Sequence, residues 1–250
     1  MKVLPNSIDN AISNISGPLT KNIGQTFGDI WSLVFDEISH KANKARMRYA
    51  MDLEKYQNEL LDAINKIPDN KRIEPSIQIT AQALENSKYC ISSKQLREMF
   101  VNLISGTMNS DLEPRIHPSF PEILKQLSKN DALMLQLLKQ RHDLPIANIG
   151  VRTDECKQTI LYTNVCPFIP GDSSVDKCSV SISSLIRAGI AYTSFSRFLD
   201  DETAYDLITI NPEYNAALEI CKHTNQTIYF QKGLCGLTDL GSDFIYSCVS

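Results

Sequence analysis

Four histidines and seven cysteines are the side chains best able to act as bases, nucleophiles or metal ligands in this 250-residue chain. Their spacing assembles little. His40, His117, His142 and His223 never stand three or four residues apart, so no two share a helix face. Cys90, Cys156, Cys166, Cys178, Cys221, Cys235 and Cys248 are odd in number and contain no Cys-x-x-Cys pair, which points to reduced thiols rather than a disulfide framework. Cys221-Lys222-His223 followed by Cys235 comes nearest to a zinc shell, but the spacing fits no common knuckle. Asp200-Asp201-Glu202 reads as a solvated loop, since a metal-dependent nuclease would need further carboxylates supplied by the fold. There is no Walker loop, G-x-S-x-G elbow, G-x-G-x-x-G turn or H-E-x-x-H helix. His117 is the strongest single candidate because it precedes Pro118 and Ser119; its plainer role is a turn histidine bonded to local backbone. Arg72, Glu74, Arg97 and Glu98 are the other polar residues of the same region, and a buried Arg–Glu pair tying two helices together accounts for them most simply. The sequence therefore implies no catalysis, no metal and no cofactor.

The elements that must position these residues are mostly helical. Residues 1–28 are rich in Asn, Ser and Gly, with Ile8, Ile12, Ile15, Leu19, Ile23 and Phe27 at spacings of three or four, and read as an N-terminal arm. From Asp29 to Ile67 a stripe of Ile38, Ala42, Ala45, Tyr49, Leu53, Tyr56, Leu60, Ile64 and Ile67 predicts one helix of roughly 58 Å at 1.5 Å per residue. That length invites a partner helix or a second copy. Lys41, Lys44, Arg46 and Arg48 make its first half basic and form the candidate binding surface; Asp52, Glu54, Glu59 and Asp62 make the second half acidic. Pro68 ends it. Pro75 opens a helix with Ile77, Ala81 and Leu84 on one face. Ser92 and Gln95 read as a capping box before Leu96, Met99, Phe100, Leu103 and Ile104. Ser119 and Glu122 read as a second box, and Asn130 as the cap of a buried helix from Ala132 to Leu138.

Past Pro145 the texture becomes loop-rich up to residue 178, with Val151, Ile160, Tyr162 and Val165 as strand positions. A helix over Val180–Ala188 capped by Gly189, a strand at Ile190–Tyr192 and another over Thr203–Ile210 are expected next. A helix opening at Asn211-Pro212 follows. Ile228–Phe230 and Leu234–Leu237 then read as a hairpin about Lys232-Gly233, and Thr238 as the cap of a last helix. The fold class is mainly α with a smaller α+β part: an N-terminal helical bundle over 29–117 and a winged-helix-like domain over 118–250. The segment equivalent to a recognition helix, CSVSISSLIRAG, holds one Arg among serines, which suits protein contacts better than base reading.

The stretch Ile67–Ala132, with IPDNKRIEP, ISSKQLREMFVNLISGTMNSD and IHPSFPEILKQLSKNDA, resembles the abortive-infection alpha (Abi-alpha) family of bacterial proteins, associated with defence against phage. The resemblance is clearest over 67–132 and weaker near the C-terminus. It implies a role in abortive infection, as an interaction or effector module that binds a phage or host protein component. A nucleic-acid-binding regulator and a membrane-perturbing effector, working through Phe27, Ile30, Trp31, Leu33, Val34 and Phe35, are the alternatives. A net charge of −4 and a pI near 5.6 disfavour general binding to nucleic acid or anionic membrane. Pro5 and Asn6 stop the N-terminus before any apolar signal core forms. The longest aliphatic run, Ala132–Leu135, falls far short of the roughly 20 residues that span a bilayer, so the expected location is cytoplasmic.

Overall fold

A computed structural model describes residues 18–35, 43–153, 157–167 and 175–249, with the side chains of 18–25, 43–47, 175–177 and Glu202 excepted. It is mainly α with an α+β part, and it divides into two compact units: residues 1–126 with 243–250, and residues 127–242. No helix among the described residues is long and apolar enough to cross a membrane.

In the first unit, α1 (Pro18–Phe35) starts at a proline, whose missing N–H costs nothing at a helix start. Phe27, Ile30, Trp31, Val34 and Phe35 fall at helical spacing and are all buried. Of the cluster that a membrane-seeking arm would display, only Leu33 stays exposed. Trp31 stacks 4.4 Å from Phe35 and 5.8 Å from Tyr56 of α2 (Asn43–Asn65), ring centre to ring centre. Leu53, Tyr56, Leu60 and Ile64 are the buried stripe of α2, as the sequence period requires. Whether α1 and α2 form one rod turns on residues 36–42, and Ile38, His40, Lys41 and Ala42 lie outside the described residues.

Helix α3 (Ile77–Ser87) is capped at Ser76 and buries Ile79, Thr80, Ala83, Leu84 and Ser87. The expected face through Ile77 and Ala81 is corrected: Ile77 is exposed, and Leu84 alone of that set is buried. Both faces carry helical spacing, and Thr80 decides between them through its hydroxyl, 3.0 Å from that of buried Thr107. In α4 (Lys94–Gly106), Leu96, Met99, Phe100, Leu103 and Ile104 are buried together as expected. The cap is Ser93 rather than Ser92, and its hydroxyl makes no cap bond; the Ser93 carbonyl takes the Arg97 N–H instead. Helix α5 (Phe120–Gln126) packs on α3 and α4, so the first unit runs to 126 where the sequence division stands at 117. The Ser119–Glu122 box does not form, because Ser119 turns back to His117 while Glu122 accepts from Asn86.

The second unit opens with α6 (Lys129–Arg141), capped by Ser128 and not Asn130: the Ser128 hydroxyl accepts from the Asp131 N–H at 3.2 Å and the Asp131 carboxylate from the Ser128 N–H at 2.7 Å. Four strands follow in an antiparallel sheet of order β2-β1-β4-β3. The expected loop beyond Pro145 is instead a long hairpin, β1 (Leu144–Arg152) and β2 (Gln158–Val165), with two register shifts between its strands. Both faces of β1 are covered, so its sequence LPIANIGV lacks the alternation that marks a half-exposed strand. Helix α7 (Val175–Arg187) ends at Gly189, whose φ of 74° lets the Ile190 N–H reach the Leu185 carbonyl and the Gly189 N–H that of Ile186. β3 (Ala191–Ser194) follows.

The expected strand over Thr203–Ile210 is helical: a 3₁₀ turn at Glu202–Tyr205 runs into α8 (Asp206–Thr209). Tyr205 and Ile208, three residues apart, enter the cluster of Ala147, Ile149, Val165 and Ala217, a spacing that a strand would split between two faces. Helix α9 (Pro212–His223) starts at Asn211-Pro212 as read. β4 (Thr227–Leu237) is one strand and not a hairpin about Lys232-Gly233, because it pairs with β1 straight through that point, from Arg152 opposite Thr227 to Leu144 opposite Cys235. Thr238 caps α10 (Asp239–Cys248) through the Gly241 N–H at 2.9 Å. The last residues of α10 group with the first unit, where Phe244 meets Phe120 edge-to-face at 5.0 Å and the Cys248 carbonyl accepts from Asn102.

Candidate functional site

Among the described residues of the first unit, Arg97 is a buried ion held on three sides. It stands between buried Leu96 and Phe100 on α4, which packs on α2, and is only 5% exposed. The guanidinium meets Glu59 of α2 through both carboxylate oxygens, at 2.7 and 3.0 Å, and donates a third bond to the Ile91 carbonyl at 2.8 Å. The hydrogen bonds that Arg97 donates to Glu59 raise its pKa against the opposing effect of burial. The expected Arg–Glu pair between two helices therefore exists, but its acid is Glu59, distant in sequence. Glu98 lies instead 3.6 Å from Lys94, one turn back on the same helix.

Arg72 does a separate job at the end of α2. One nitrogen meets Asp69 at 2.8 Å and another donates to the carbonyl of Asn65, the last residue of that helix, where a cation suits the helix dipole. The Arg72 backbone also bridges to Asn109. Glu74 is exposed beyond this junction. His117 is consumed by its own turn: Nδ1 accepts from the Ser119 N–H at 3.2 Å and lies 2.7 Å from the Ser119 hydroxyl. The five polar candidates are thus distributed among local contacts and not gathered into one catalytic cluster.

Beside the Arg97–Glu59 pair, α2 and α4 enclose a shallow depression of about 310 Å³ lined by Glu59, Asp62, Ala63, Lys66, Glu98, Val101 and Asn102. Of its three carboxylates, Glu59 is held by Arg97 through both oxygens and Glu98 lies 3.6 Å from Lys94, which leaves Asp62 as the carboxylate open to a cationic group. Of the basic candidates, Lys41 lies outside the described residues; Lys44 and Arg46 sit on α2 with side chains outside them; Arg48 is exposed on α2. No signal local to Arg97 identified Glu59, because the pair is made by the crossing of two helices.

In the second unit, Cys166, Cys178 and Cys235 are buried, Cys221 is half-buried, and Cys156 lies outside the described residues. Cys178 Sγ lies 3.4 Å from the Cys166 carbonyl, and burial with the nearby Cys166 and Asp143 pushes the Cys235 thiol up to about 12. Cys221 and His223 ride on α9, and among the described residues no group of three His, Cys, Asp or Glu is arranged to hold a metal ion. Within the acidic run 200–202, Asp201 has a structural use, capping the 3₁₀ turn through the Thr203 N–H and hydroxyl.

The family described as abortive infection alpha matches residues 48–248, most of the chain and well beyond the 67–132 block in which its resemblance is clearest. No curated protein matches the sequence. Among solved structures, a protein from the hydrocarbon-degrading marine bacterium Alcanivorax borkumensis SK2 is similar at 15% identity, over 56% of this chain and 96% of that one, with a TM-score of 0.36. The chain belongs to the abortive infection alpha family.

Proposed function

We propose that this abortive infection alpha protein is a non-enzymatic effector or interaction module of a bacterial anti-phage system, acting by binding a phage or host protein. The family match over residues 48–248 is the observation that carries the reading, since it spans both compact units rather than one motif. The accounting of the polar candidates supports it: Arg97, Glu59, Arg72 and His117 are engaged in holding helices and turns together. Recognition then belongs to outward surfaces. The winged-helix-like reading of the second half draws support from α7 passing through Gly189 into β3, which pairs with β4. β1, β2 and α9 are additions to such a module, and a role in holding proteins suits its serine-rich α7.

Challenge of cells carrying the intact gene with a broad phage panel tests the setting. Reduced plating or early death of infected cells is expected, and unchanged plating and survival across the panel would overturn it. Purification of the tagged protein from infected cells tests the mechanism, which predicts a phage or host protein recovered at constant ratio. Recovery of nucleic acid instead, released as salt rises, would favour the regulator reading.

A further inference from the structure

The charges of α2 run against its own dipole. Its first turn holds Lys44 and Arg46 and no acid; its last turn holds Asp62 and no base. A helix is favoured by the opposite arrangement, with acids at the N-terminus and bases at the C-terminus. The pattern therefore does not serve the isolated helix. Nor is it taken up by the core, because α2 buries Leu53, Tyr56, Leu60 and Ile64 and keeps a second stripe outside. That stripe is Arg48, Met51, Lys55, Asn58 and Asp62, all exposed and spaced 3, 4, 3 and 4 residues apart, the seam along which two helices lie side by side.

We propose that α2 pairs antiparallel with α2 of a second copy of this chain, Arg48 of each meeting Asp62 of the other. A two-fold axis at Lys55 brings this about, placing Met51 opposite Glu59, Asn58 opposite Asp52, and the basic half of one helix along the acidic half of its mate. Arg48 and Asp62 are 14 residues apart, about 21 Å along the helix, so the two ion pairs form at opposite ends of the contact. The two-fold makes the two ends equivalent. Asp62 lines the depression between α2 and α4, where Glu59 already meets Arg97 and Glu98 lies beside Lys94, so Asp62 is the carboxylate that receives the incoming guanidinium; Lys66 is the only base among the lining residues. Lys55 lies on the axis with Asp52 three residues away on its own helix to offset its charge. The antiparallel pair also sets the two helix dipoles head to tail. Being polar, such a seam gives a salt-sensitive dimer rather than a permanent one.

Sedimentation velocity of the full chain over a concentration series tests this at about 0.1 M and about 1 M salt, where the screening length falls from about 10 Å to about 3 Å. A monomer–dimer equilibrium at the lower salt that shifts to monomer at the higher is expected. Arg48→Glu and Asp62→Arg, both at exposed positions, should each weaken association by at least about tenfold, since each reverses two ion pairs. The double variant Arg48→Glu/Asp62→Arg restores complementarity and should recover the dimer. A monomer at every concentration overturns the proposal, as does a dimer indifferent to either single change or to salt. Failure of the double variant to recover overturns the Arg48–Asp62 register and with it the two-fold at Lys55.

Discussion

Removing the more exposed partner of the Arg97–Glu59 pair should cost more than removing the buried one. The Arg97 side chain is 6% exposed and that of Glu59 34%. In Glu59→Ala the guanidinium keeps only the Ile91 carbonyl and is otherwise an uncompensated buried charge. Such a loss costs about 3–5 kcal/mol in a closed interior. Here water reaches the vacated carboxylate position, so about 2–4 kcal/mol is expected. In Arg97→Ala, Glu59 turns to solvent at little cost, and the penalty reduces to the orphaned Ile91 carbonyl and the lost packing of the arginine stem, about 1–3 kcal/mol. The double variant leaves no stranded charge. It should cost about as much as Arg97→Ala alone, a departure from additivity equal to the Glu59→Ala cost, about 2–4 kcal/mol. Trp31 is the only tryptophan and is wholly buried in the same unit, so its emission during urea unfolding reports on this unit. Penalties that add to within about 0.5 kcal/mol, or a Glu59→Ala cost below that of Arg97→Ala, would refute the reasoning.

At Gly241 an added methyl would sit 2.0 Å from the Ile190 carbonyl oxygen, so Gly241→Ala should cost about 3 kcal/mol or more, read as a fall in thermal midpoint by circular dichroism. Ser128→Ala loses one cap bond and should cost about 1 kcal/mol, whereas Asp131→Ala also strands the Ser128 N–H and the Ser184 hydroxyl and should cost more; a reversed order in urea unfolding would discredit the capping box. Burial pushes Tyr49 up to about 12 and Tyr56 higher still, against an ordinary value of 10.0. Above pH ~10 the unfolded chain then releases protons that the native state retains, so stability falls as pH rises through that value. The urea midpoint should drop in parallel, and part of the phenolate absorbance should appear only on unfolding; full ionisation of all nine tyrosines in the native protein would refute it.

The sequence by itself determined most of the first unit. Regular apolar spacing placed Leu53 to Ile64 on α2 and Leu96 to Ile104 on α4, and Pro68 and Pro212 fixed where chain direction changes, because helical period and proline stereochemistry act over a single turn. It also placed the polar residues of the family-like block on or beside the right helices. Tertiary structure decided their partners. Arg97 chose Glu59 over its neighbour Glu98 because two helices cross there, and helical period alone could not choose between the two faces of α3. The sheet was the least legible part. β1 is covered on both faces, so its sequence shows no alternation, and β4 is continuous through Lys232-Gly233 only because β1 supplies a partner from Thr227 to Cys235. Strand pairing joins residues some 80 positions apart, such as Asn148 and Gln231, and no local pattern records such a contact.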